Sequence, residues 1–177
     1  KKFEHLLRNR SGYKKYFNPQ KDPFWCMYNI GSYTLAKYKV VWKGLAKGSQ
    51  AVVLSQDTEL NLPIIPEHNT MFVSCNTLEE CHYLCAVLNS SFVSLIIQAY
   101  ISAFYSTHVL KKIKIPGFEP KNPLHQKIAH LSKKAHSLCK ENELAELENT
   151  IDYAVAEIWE IDNRELVSLQ RALKEFE

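Results

Sequence analysis

Lys37, Tyr38, Lys39, Trp42 and Lys43 crowd ammonium groups and flat rings into one short stretch. Such basic and aromatic interleaving is what a nucleic-acid surface uses, amines for phosphates and rings for bases. A second cluster runs Tyr105, Ser106, Thr107 and His108 into Lys111, Lys112 and Lys114. Its hydroxyls, imidazole and amines suit phosphate oxygens and base edges. Each cluster has a plainer reading. An amphipathic strand turns rings to the core and lysines to water, and polar loops often precede strands.

Other chemistry-bearing groups make weaker patterns. Glu67, His68 and Asn69 stand in a proline-flanked loop that reads as a solvated turn. Cys81 and Cys85 lie one helical turn apart with His82 beside them, yet no second ligand pair accompanies them, so no metal site is assigned. His125, His130 and His136 share a lysine-bearing helix and are expected on its solvated face. The sequence holds no GxGxxG, P-loop, HExxH or GxSxG pattern, and no catalytic residue is assigned.

The 177 residues are 46% apolar, enough for one core-bearing domain with an appendage and too many for a disordered chain. Net charge is only +3, but its distribution is uneven. Residues 1–50 carry +9, 51–108 carry −5 with no lysine or arginine, 109–140 carry +7 and 141–177 carry −8. Two basic blocks converging on one face would favour a polyanionic partner. Five cysteines without tandem CxxC pairs argue against a disulfide scaffold or zinc ribbon. Without a leader pattern, a cytoplasmic, reducing setting is expected, as part of a longer protein. Residues 86–105 are uncharged over a membrane-spanning length, but Asn89, Ser90 and Ser91 break them, so a buried helix pair is expected and no membrane partner.

Periodicity places these groups on elements. Residues 1–23 read as an irregular basic arm. Strands are expected at Tyr38–Lys43, Gln50–Ser55 and Thr70–Cys75, with a short edge strand at Leu62–Ile65 and a half-exposed one at Val109–Ile115. Alternation sends Lys39, Val41 and Lys43 to one face of the first strand and Tyr38, Val40 and Trp42 to the other. Thr77-Leu-Glu-Glu80 is a capping box opening a helix to about Asn89, and a second helix follows through Leu95 and Ala99. From Asn122, a cap with Pro123 behind it, apolar residues recur at steps of three and four. The seam passes Leu124, Ile128, Leu131, Ala135 and Leu138, then Leu144, Leu147, Ile151, Ala154 and Ile158; after Asp162, a cap with Glu165 at its third position, it resumes at Leu166, Leu169 and Leu173. It predicts an antiparallel, coiled-coil-like helical arm over 122–177, behind an α/β domain at 24–121.

In order, Tyr38-Lys-Val-Val-Trp-Lys43, Glu79-Glu-Cys-His-Tyr-Leu-Cys-Ala-Val-Leu-Asn-Ser90, Ser106-Thr-His-Val-Leu-Lys-Lys-Ile-Lys-Ile-Pro116 with Phe118, and His125–His136 resemble the C-terminal target recognition domain of N6-adenine DNA methyltransferases. The series is similar to the TaqI-like specificity domain and to type IIG restriction–modification enzymes. The resemblance covers about Phe24–Ile161 and implies an α+β domain with a mixed sheet. It implies a non-catalytic module that reads duplex DNA for a larger enzyme, one that binds S-adenosylmethionine elsewhere and in some relatives is fused to an endonuclease. It assigns no cofactor to this fragment. The partners implied are double-stranded DNA and the catalytic domain of the same chain. The rival reading is a scaffold domain that assembles, as a homo-oligomer or with another chain, through the heptad helices.

Overall fold

The computed structural model describes residues 2–44, 50–56, 62–67, 69–100, 112–138 and 140–175. Two compact units divide it, Lys1–Leu35 and Ala36–Glu177.

The first unit corrects the expectation of an irregular arm. It holds helices α1 (Glu4–Arg8) and α2 (Ser11–Tyr16), both too short to persist unaided. Arginines staple them. Arg8 pairs with Glu4 at 2.9 Å and donates to the Tyr13 hydroxyl and the Pro19 carbonyl, while Arg10 donates to the carbonyls of Leu7, Phe24 and Cys26. Tyr13 is buried, and its hydroxyl donates to the Asp22 carbonyl at 2.6 Å. These guanidinium groups are therefore committed to internal acceptors.

The second unit is mixed α and β, built on three antiparallel strands in the order β2-β1-β3. Strand β1 (Tyr38–Lys43) is central, with Val40 facing Val53 of β2 (Val52–Ser55) and Val73 of β3 (Thr70–Cys75). The sheet is wholly antiparallel among the described residues, where the resemblance implied a mixed one. Leu62–Ile65 is not a strand, and neither is Lys112–Ile115, where the Ile115 N–H turns back to the Ile113 carbonyl at 2.9 Å. Residues 109–111 lie outside the described set.

Helix α3 (Leu78–Asn89) starts at the expected threonine, whose hydroxyl accepts from the Glu80 N–H at 3.1 Å. The reciprocal arm differs: Glu80 reaches past the cap to the Asn76 N–H, at 2.6 Å. Helix α4 (Ser91–Tyr100) leaves α3 at a 60° bend, and no single helix among the described residues is long and apolar enough to cross a membrane. Asn122 caps α5 (Pro123–His136), whose first residue is the proline. Helix α6 (Glu141–Ala156) follows, then α7 (Asn163–Lys174) behind a full Asp162–Glu165 capping box.

The heptad residues are sorted as their period predicts, with Ile128, Leu147, Ile151, Ala154 and Leu166 all buried. Their partners are internal. Helix α5 packs along α3 and α7 packs on α4, so these helices form one body with the sheet. One buried carboxylate ties three of them. Asp152 of α6 accepts from the Ser91 N–H at 2.8 Å, from the Ser91 hydroxyl, and from Gln170 Nε2 at 2.9 Å, which caps α4 and holds α7.

Candidate nucleic-acid interface

The first predicted cluster is split by the sheet. β1 has a neighbour on each side and is covered on both faces at its middle, so alternation does not sort its residues into wet and dry. Trp42 is 2% exposed and Lys39 equally so. The Lys39 ammonium donates to the Ala36 carbonyl, and burial lowers its pKa from the ordinary 10.5. Lys39 and Trp42 thus leave the candidate interface. Lys37 and Lys43, flanking that covered middle, remain exposed, with the Lys37 ammonium 5.1 Å from the centre of the Tyr38 ring.

Of the second cluster, Tyr105, Ser106, Thr107, His108 and Lys111 lie outside the described residues. Lys112 and Lys114 are exposed on either side of buried Ile113. Lys112 sits 4.9 Å over the Tyr100 ring at the end of α4, and the Lys114 carbonyl accepts from the Trp159 indole at 3.3 Å. Among the described residues no hydrogen bond, ion pair or ring contact joins this pair to Lys37, Lys39 or Lys43.

Sequence reasoning passed over the outer face of α5 as a solvated helix surface. Its three histidines have three different fates. His125 is buried, stacks on Tyr83 at 4.6 Å and accepts the Glu119 N–H on Nδ1 at 3.0 Å, so it clasps the helix start. His136 donates from Nδ1 to the Ser132 carbonyl at 2.8 Å and accepts the Val53 N–H on Nε2 at 3.1 Å. A carbonyl only accepts, so these partners place a ring proton on Nδ1 and leave Nε2 as the acceptor. His130 is exposed and makes no such bonds to the sheet, standing alongside Lys127, Lys133 and Lys134, while His136 is exposed but tied down at both nitrogens.

Cys85, His136 and Asn89 form a constellation with the composition of a thiol catalytic triad, but its geometry is structural. The Cys85 thiol donates to the Ala51 carbonyl at 3.3 Å, lies 4.0 Å from His136 Nε2, and is pushed up to about 12 by burial. A thiol so held stays protonated and is a poor nucleophile. Asn89 accepts the Ala51 N–H at 2.7 Å and returns an amide proton to its carbonyl at 2.8 Å. Together with His136 on the Val53 N–H, these bonds occupy the outward-facing backbone at the start of β2. Cys81 is likewise driven up by its hydrogen bond with Cys75 and by burial.

No family model matches this chain, and no curated protein matches it. The argument for function therefore stands on charge and exposure. Lys112, Lys114, Lys121, Lys133 and Lys134 are all exposed and make no ion pair with a described residue. Lys127 and Lys140 do pair, with Glu157 at 3.4 Å and Glu143 at 2.9 Å. The signal that would have found this surface was present in the α5 sequence: Lys127, His130, Lys133 and Lys134 recur at helical spacing opposite Leu124, Ile128 and Leu131.

Proposed function

We propose that this chain is a duplex-DNA recognition module, non-catalytic by itself, that positions DNA for the S-adenosylmethionine-dependent adenine-N6 methyltransferase domain of a larger protein. One observation carries the DNA-binding half of the reading: five exposed lysines between residues 112 and 134 that no described acid neutralises. Free ammonium groups displace condensed counterions from phosphates, which drives binding and makes it salt-dependent. Base discrimination is assigned to the polar side chains of 105–108, by the likeness in sequence to target recognition domains. The scaffold reading has less to draw on, because the seam that would join chains faces this chain's own core.

Gel-shift titrations at two salt concentrations test the proposal. Five phosphate contacts give a log–log slope of roughly −4 to −5. A slope near zero, or no shift of duplex DNA at low salt, overturns it. The isolated chain is expected to transfer no methyl group to DNA, and transfer in its presence alone overturns the non-catalytic assignment.

A further inference from the structure

A concavity of about 390 Å³ opens where α3 meets α5, lined by His82, His130, Lys133, Lys134, His136 and Ser137. His130, Lys133 and Lys134 fall at i, i+3 and i+4 on α5, with Ser137 at its C-cap, so they rise along one face of the helix. His82 comes across from α3 and is only 6% exposed. No carboxylate lines the concavity, and neither lysine is paired with a described acid.

His136 and His82 divide the work. His136 has both ring nitrogens engaged, so it adds no spare donor. His82 meets the Ser132 hydroxyl through Nδ1 at 3.3 Å, which leaves Nε2 as its other polar atom. The charged and titratable groups around that ring are His136 and Lys133 on α5 and Glu79 on α3; burial first, then His136 and Lys133, hold it down at about 4. Positive charge is thus gathered along the lining, with Glu79 of α3 the one carboxylate acting on the His82 ring from outside it.

The geometry points to a seat for a phosphate oxyanion, in which Lys133, Lys134 and His130 hold the anion while His82 takes up one proton from solvent. The protonated ring then donates from Nδ1 to the Ser132 hydroxyl and from Nε2 to a phosphate oxygen. Tetrahedral oxyanions suit this arrangement, because point-charge amines and imidazole N–H groups approach from several directions, whereas a carboxylate is best met by a planar fork. The source of the phosphate, a backbone phosphodiester of duplex DNA, rests on the function proposed above. By linkage, an anion that raises the proton affinity of His82 must itself bind more tightly as pH falls.

Ring NMR of His82 in the full chain tests this, with a short DNA duplex in one arm and inorganic sulfate in the other, each against chloride at equal ionic strength. The expected result is that the duplex moves the His82 midpoint upward by about one unit or more, and that duplex affinity rises severalfold from about pH 7 to about pH 5. In Lys133→Gln/Lys134→Gln, whose exposed substitutions leave the core untouched, the midpoint should stay put when duplex is added. His82→Gln should lose its share of the pH dependence of affinity. A duplex that binds while the wild-type His82 midpoint stays fixed overturns the seat and leaves DNA recognition standing. A sulfate-induced shift without duplex binding upholds the seat and overturns DNA as its source. No shift with either probe overturns the seat.

Discussion

Strand β1 and helix α5 both interleave lysines with apolar residues, and the fold treats them in opposite ways. In β1 Lys39 is buried, with its ammonium on the Ala36 carbonyl, whereas on α5 Lys127, Lys133 and Lys134 stand in water. A central strand has two covered faces, so the two-residue period cannot guarantee a wet side. A helix packed on one side of a core keeps a wet side by geometry, and the 3.6-residue period finds it. Lysine-rich segments are thus better evidence for a binding surface when they sit on an outer helix than in the middle of a sheet.

The largest effect that would break this contrast belongs to Trp42. Trp42→Ala removes a buried indole and should lower unfolding free energy by about 3–5 kcal/mol in urea titrations. The slope of DNA affinity against salt should not change. A large change of slope with little loss of stability would return the strand to the interface.

Next in size is the acid sensitivity of the α3–α5 junction. His82 titrates near 4 in the folded chain and at 6.5 when free, so the unfolded chain binds the proton first as pH falls. The stability that the neutral ring contributes is complete above 6.5 and is lost between 6.5 and about 4, on the order of 3 kcal/mol. Chemical denaturation across that window should show the loss, and His82→Gln should flatten it.

Lys39→Met should remain within about 1 kcal/mol of wild type, because removing a buried charge offsets the lost hydrogen bond to Ala36. The wild-type chain should also gain stability as pH climbs towards 10.5, since the folded state holds the Lys39 proton less tightly than the unfolded one. That gain should vanish in Lys39→Met. The smallest effect on folding comes from the exposed lysines. Lys112→Gln or Lys134→Gln should shift stability by no more than about 0.5 kcal/mol. Each should still flatten the salt slope by about 0.9.

Local signals in the sequence travelled well into the fold. Thr77, Asn122 and Asp162 each cap the helix they were expected to cap, because a cap depends on its own residue and the next three. The apolar seam likewise identified which residues turn inward. What it could not identify was the partner, since a/d spacing is equally served by another helix of an arm or by α3. The site was less legible. Lys39 failed through burial on the second face of β1, a consequence of strands β2 and β3 flanking it and of what lies over them. Asp152 drew no notice beforehand because its three donors come from Ser91 and Gln170, far apart along the chain. His82 and the α5 lysines likewise meet only once α3 and α5 are packed.

The side chains of Asn89 and His136 on Ala51 and Val53 have a consequence for assembly. Fibre growth by strand addition requires a receptive border on both flanks of every sheet. On the β2 flank the Val53 N–H, and both backbone groups of Ala51 just before the strand, already have partners within the same polypeptide. Those bonds disfavour recruitment of a foreign strand beside β2 and leave the β3 flank as the better site, and two molecules joined there cap each other. Such growth ends at a pair and cannot run on into a filament.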